Sequence, residues 1–268
     1  MSRNAWIAAS MAVVAGVGGF YWYAGTQKAG IPAHDVLAPP VTPEAGTPVA
    51  TEEAKVAYPL PAEAPQAEHP LPPLAASDSQ VLAALEALFG KQPLESMLIP
   101  DQLIRRFVVT VNSLDGEAVS LRQRPLRHTP GLLVVEQKDE RLFLSPQNGK
   151  RYMPLVKVLE SADPQRVVDL YVRYYPLLQK AYAELGYPDR YFNDRVVDVI
   201  DHLLETREVA GPIELVRPKV FYEFADRDLE KRSSGEKILI RIGAGNAEIV
   251  RRQLRALRDE LVARSLKP

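Results

Sequence analysis

The sequence predicts an α+β fold, mainly helical with a minor β element, preceded by an N-terminal transmembrane helix and a disordered Pro-rich linker. Three observations predict it. Residues 5–24 (AWIAASMAVVAGVGGFYWYA) carry no charge. Residues 30–74 are rich in Pro, Ala and Glu, with only scattered apolar residues. Beyond residue 77, apolar side chains recur at helical spacing in one segment after another, and only a few short runs suit strands. The expected parts are a cytoplasmic tail (1–4), the membrane helix (5–24), the linker (25–76) and one globular domain (77–268).

At about 1.5 Å per residue the uncharged run spans roughly 30 Å, the width of a bilayer hydrocarbon core. Trp6 lies near one end, and Phe20, Tyr21, Trp22 and Tyr23 crowd the other, as interfacial aromatics do. Arg3 before the helix and Lys28 after it give a weak bias toward an N-terminus in the cytoplasm. The short tail and long C-terminal part suit a signal-anchor. The rival reading is a cleaved signal peptide: cutting after Ala24 would put Trp22 where a small residue is needed, whereas cutting after Gly19 is chemically permissible. Ala8, Ala12, Gly16 and Gly19 share a face, through which two such helices could pair as a homodimer. The linker cannot bury enough apolar surface to offset its ordering entropy. Its His34 and His69 have no ligand neighbours in sequence.

The chain has 268 residues and a net charge of -1. Residues 1–73 hold Arg3, Lys28 and Lys55 against six acids, so the remainder is slightly basic. That is far from the basic excess of a nucleic-acid binder, and no nucleic-acid partner is expected. The lack of Cys removes disulfides, thiolate zinc sites and Cys nucleophiles.

Within the domain, Ser77-Asp78 caps a first helix with Val81, Leu82, Leu85, Leu88 and Phe89 in phase, ended by Gly90. Asp101 caps a second, carrying Leu103, Ile104, Phe107, Val108, Val111 and Leu114, up to Asp115-Gly116. Residues 116–130 form an irregular basic loop with Arg122, Arg124, Arg127 and His128. The runs 131–136 and 141–144 make a hairpin, and residues 151–159 lead into the next helix. Asp163-Pro164 is an N-cap followed by Pro in the first turn. The helix it starts keeps phase through Pro176 to Gly186, either kinked or as two collinear pieces. Residues 189–206 are helical, and 213–224 are extended around Pro218. Two final helices close the domain, the last over 246–265. Residues 236–242 could alternate as a strand but are read as helix.

Chemistry concentrates in residues 191–205. Asp194, Asp198, Asp201 and Glu205 converge on one helix face with His202 beside them and Asn193 near the start, opposite an apolar face of Phe192, Val196, Val199, Ile200 and Leu203. Three readings follow, in order of preference: a solvated polar face; a face paired with the Arg251, Arg255 and Arg258 stripe of the last helix; and a metal or acid/base site using Asp198, Asp201 and His202. Nothing supplies the remaining ligands for the third. Asn193, Asp194, Asp198, Asp201, His202, Arg251, Arg255 and Arg258 are therefore the candidate binding residues, with no catalytic residue, metal or cofactor assigned. Tyr171, Tyr174, Tyr175, Tyr182, Tyr187 and Tyr191 could form a platform for sugars or a partner protein, but helical phase places most of them on the core-facing side. The basic loop could hold an anion, and residues 243–246 (GAGN) weakly suggest an anion-binding turn.

Residues 186–204 (GYPDRYFNDRVVDVIDHLL), 211–220 (GPIELVRPKV) and 237–246 (KILIRIGAGN) resemble the bacterial domain-of-unknown-function family numbered 3014. Membrane segment, Pro-rich stretch and following domain are also similar to that family's layout. The likeness covers about residues 74–261, with Ile242, Ala244 and Gly245 departing from the family's usual Met-Gly-Pro-Glu-Asn run. It implies a bacterial envelope setting and no particular reaction. The resulting expectation is a single-pass inner-membrane protein with a periplasmic domain. That domain would bind or scaffold an envelope protein or cell-wall glycan component. The alternative is an envelope hydrolase or metal-dependent enzyme using the acidic/His face.

Overall fold

A computed structural model describes residues 56–60, 70–120 and 122–265. The membrane helix expected at 5–24, His34 and His69 lie outside them. Among the described residues no helix is long and apolar enough to cross a membrane.

The observed fold is mainly helical with one small antiparallel sheet. A short 3-10 helix (Leu74–Ala76) leads into α1 (Asp78–Phe89), α2 (Lys91–Met97) and α3 (Leu103–Ser113). Strands β1 (Val135–Lys138) and β2 (Arg141–Leu144) precede α4 (Asn148–Glu160), α5 (Pro164–Glu184) and α6 (Phe192–Leu204). Then come β3 (Glu214–Val216), β4 (Glu223–Phe224), α7 (Arg227–Glu230), α8 (Ser234–Arg241) and α9 (Ala244–Arg264). The last helix packs on α4, α5 and α6, while α3 packs on α5 and α6 and α1 closes against α3 and α5.

The start of α5 follows local rules. Asp163 accepts the Gln165 N–H at 3.0 Å with Pro164 at the first helical position, and the helix runs unbroken through Pro176. The start of α3 does not. Its cap is not Asp101, whose carboxylate pairs with Arg106. Instead Asp78, from the first turn of α1, accepts the Gln102 and Leu103 N–H groups, each at 2.8 Å. Gln102 takes a left-handed conformation with φ 52°. Ser77, expected as a cap, donates to the Leu74 carbonyl at 2.9 Å. One acid thus ties two helices together, a contact that local spacing cannot encode.

Residues 236–241 belong to α8, with Ile242 as its C-cap, and the helix read there starts where Ser233 and Glu236 form a capping box. The same helix start meets the end of α3: Ser234 and Gly235 N–H groups donate to the Gly116 and Leu114 carbonyls at 2.7 and 2.8 Å. This satisfies orphan groups at both termini. A Cβ on Gly235 would lie 2.4 Å from a Leu203 methyl and 2.9 Å from the Leu114 carbonyl oxygen, so only glycine allows the approach.

The four strands pair in chain order, β1-β2-β3-β4, all antiparallel, with α4 to α6 inserted between β2 and β3. Asp139 and Glu140 at the β1–β2 turn both have positive φ, 49° and 62°, which matches the twist of a tight hairpin. The sheet has its own small core of Leu215, Phe224, Leu229 and Ile240. The main core is helical and includes Val111, Leu114, Tyr174, Leu178, Phe192, Ile200 and Leu254. Tyr171, Tyr174, Tyr175 and Tyr182 are buried in it, as their phase predicts.

Two pieces of the stretch expected to be linker lie on the domain. Leu74 and Leu60 are 6 % and 5 % exposed and belong to the main core. Their neighbours in sequence are Pro, Ala and polar residues, so the composition hides two single apolar anchors.

Candidate functional site

Helix α6 carries most of the candidate residues, and the structure distributes them over several tasks. Val197, missing from the expected apolar face, is fully buried along with Phe192, Val196, Val199, Ile200 and Leu203, so the polar face is narrower than the sequence implies. Asn193 is wholly buried, and its Nδ2 donates to the Tyr58 carbonyl at 2.9 Å. Asp194 accepts the Ala57 and Tyr58 N–H groups at 3.0 and 2.8 Å. Asp201 pairs with Arg258 of α9, with Nη2 3.0 Å from Oδ2. This is the helix-to-helix pairing that the two charge stripes suggest, and it is made at one position. Arg255 pairs with Glu248 on its own helix at 3.5 Å. Arg251 is 7 % exposed, donates to the Thr206 carbonyl at 3.2 Å and lies 3.9 Å from Glu248.

Arg195, absent from the candidate list, holds α6 to α3. It grips the Asp115 carboxylate at 2.5 and 2.7 Å and reaches the Asn112 side chain and carbonyl at 3.0 and 2.8 Å. Burial works against the Asp115 charge, but the Arg195 hydrogen bonds and charge outweigh it and hold that carboxyl below its ordinary value. Asp198 goes the other way. Burial, helped by Asp194, Asp201 and Asp115, raises its pKa against the pull of Arg195.

His202 lies 2.8 Å from Ser233 Oγ through Nε2, and 3.7 Å from Glu236. A serine, a histidine and a carboxylate together invite comparison with a hydrolytic triad, but the roles do not match. In a triad the carboxylate orients the imidazole nitrogen remote from the nucleophile. Here serine and carboxylate meet the same nitrogen. Ser233 Oγ also accepts the Glu236 N–H at 3.2 Å, and Glu236 accepts the Ser233 N–H at 3.0 Å. The group is a helix cap with a histidine leaning on it. Among the described residues no three His, Cys, Asp or Glu side chains are placed to hold a metal ion.

The basic loop is pinned rather than free-standing: Arg106 donates to the Arg122 and Arg124 carbonyls, and Leu126 bridges to Leu98. In the GAGN turn, Gly243 is the N-cap of α9 with φ 86°. Asn246 Nδ2 donates to the Gly149 and Ile242 carbonyls at 2.8 and 2.9 Å, tying α9 to α4.

A cleft of about 710 Å³ lies between the sheet, residues 207–213 and the α8–α9 corner. Its wall is mostly apolar, including Phe143, Ile213 and Leu239, with Lys138, Arg241 and Arg251 among the cations and Glu136 and Glu208 among the anions. Arg241 is 3 % exposed, and its guanidinium lies 4.5 Å from the Phe224 ring centre. Arg251 was legible as a candidate; the rest of the cleft was not, because three separate stretches of sequence build it.

A family model described as a protein of unknown function, DUF3014, matches residues 103–258. No curated protein and no solved structure matches the chain.

Proposed function

The chain belongs to the DUF3014 family, and from that premise we propose a non-catalytic binding module, anchored in the inner membrane through residues 5–24 and presenting its domain in the periplasm. The observation that carries this reading is the placement of open volume against chemistry. Asp201 is engaged by Arg258 of α9, Asp194 by the Ala57 and Tyr58 amides and His202 by the start of α8, while the cleft is large, mostly apolar and edged with a few charges. Ligand sites typically have roughly 300–1,000 Å³ and this kind of lining. An apolar wall with scattered charges suits a segment of another envelope protein, with a cell-wall glycan as the alternative occupant.

A photo-crosslinking residue in place of Lys138, used in intact cells, should give one discrete adduct. Adding Ile213→Arg should abolish it, and Ile213→Arg should also fail to rescue any envelope defect of a deletion strain. No adduct together with no envelope phenotype on deletion would overturn the proposal.

The competing reading is an envelope hydrolase or metal-dependent enzyme working through Asp198, Asp201 and His202. It requires His202→Ala to abolish function and leave stability intact. On our reading that substitution removes the contact with Ser233 and costs about 1 kcal/mol of stability, with binding at the cleft retained.

A further inference from the structure

Residues 56–60 (Val-Ala-Tyr-Pro-Leu) meet the first turn of α6 in an ordered way. Two consecutive backbone N–H groups, from Ala57 and Tyr58, enter the Asp194 carboxylate, and the Tyr58 carbonyl takes a hydrogen bond from Asn193. Asn193 is completely buried, and among the described residues its Oδ1 has no hydrogen-bond partner. Of the five residues only Leu60 is buried, while Ala57 is exposed.

This is recognition of main chain with one side-chain anchor. Three consecutive peptide groups are read by a carboxylate and a carboxamide, and an apolar pocket receives the residue two places on. The chain bends at Ala57 and Tyr58, which turns two successive N–H groups to the same side and onto one carboxylate, as in a backbone anion nest. A carboxylate taking two N–H groups cannot tell which side chains lie between them, so the site would accept other segments that bend in this way and carry a suitably placed apolar residue.

We propose that the N-terminal end of α6 is a binding site for a bent peptide segment with an apolar anchor, and that the chain's own residues 56–60 are its resident occupant. The segment is a strap: docked, it makes the preceding chain leave the domain at α6, and released, it uncovers Asn193 and Asp194. The assignment does not rest on the cleft, on the membrane helix or on any particular partner.

The test uses the full-length chain. In the wild type, hydrogen exchange at the Ala57 and Tyr58 amides should be slow. Asp194→Asn should speed both by about tenfold or more, in keeping with loss of charge-assisted bonds, and leave the amides of α5 unchanged. Tyr58→Pro, which removes one donor and leaves α6 intact, should release Ala57 as well. A Tyr58→Pro, Leu60→Ser double variant, which loses one backbone donor and the apolar anchor, should bind the acetylated, amidated peptide Val-Ala-Tyr-Pro-Leu. Its dissociation constant should lie at or below about a millimolar, the effective concentration that a short connection supplies, because the tethered segment is docked in the wild type. The wild type should refuse the peptide. Unprotected Ala57 and Tyr58 amides in the wild type would overturn the proposal, as would a folded open variant that ignores the peptide. Protection that appears only in a dimer would overturn the intramolecular assignment and place the strap on a second copy.

Discussion

Four carboxylates on one helix face look alike in the sequence, yet each meets a different environment. Asp194 takes two peptide N–H groups, Asp201 takes Arg258, and Glu205 is exposed. Asp198 has its pKa raised from an ordinary 3.8, first by burial and then by its acidic neighbours. A carboxyl whose folded pKa exceeds its unfolded one contributes stability below the unfolded value, and that contribution is lost as pH rises through the folded value. At neutral pH the charged Asp198 is therefore a cost. Asp198 is itself solvent-exposed, so water screens much of that cost. Asp198→Asn should raise the melting temperature at pH 7 only slightly, and the gain should vanish below about pH 3.8; thermal melts across pH 3–7 check this, and a loss of stability at pH 7 would count against it. Asp115 has the opposite sign, since Arg195 depresses its pKa, and its contribution is lost as pH falls. The residue types were legible at sequence level. Their partners were not, since those partners come from 57 or more positions away.

At the scale of elements, the spacing of apolar residues and the turn signals go far. The Asp163-Pro164 start, the passage through Pro176, the hairpin and the helix over 234–241 all emerge from local rules, because local hydrogen bonds and side-chain phase decide them. The departures occur where one element completes another. The start of α3 is the sharpest case: Asp101 has the right spacing for a cap, and Asp78, 25 positions before Leu103, does the capping. Asp78→Ala should cost about 1 kcal/mol, while Asp101→Ala, which loses only an exposed pair with Arg106, should change stability by less than about 0.5 kcal/mol. Chemical denaturation of both variants distinguishes the two acids, and equal effects would sink the assignment. Helix α2 escaped notice because seven residues containing Pro93 show too little periodicity.

At the scale of the whole molecule, the full-length chain should stay with membranes after carbonate extraction, and a chain starting at residue 25 should not. A freely soluble full-length protein would remove the anchored part of the proposal. The sequence by itself determined the helical class, the small β element, the family and several helix starts and stops, because periodicity and turn chemistry are local and are written in consecutive residues. Only the tertiary structure decided which charges are spent. It showed that Asp201 braces α6 against α9, that Arg195 ties α6 to α3 while His202 meets the start of α8, and that Leu60 and Leu74 in a Pro-rich stretch reach the core. It also placed the open volume between the sheet and the α8–α9 corner. Those outcomes depend on which surfaces meet when the chain folds, and the energy of a carboxylate depends on what stands opposite it in space, at distances sequence order does not record.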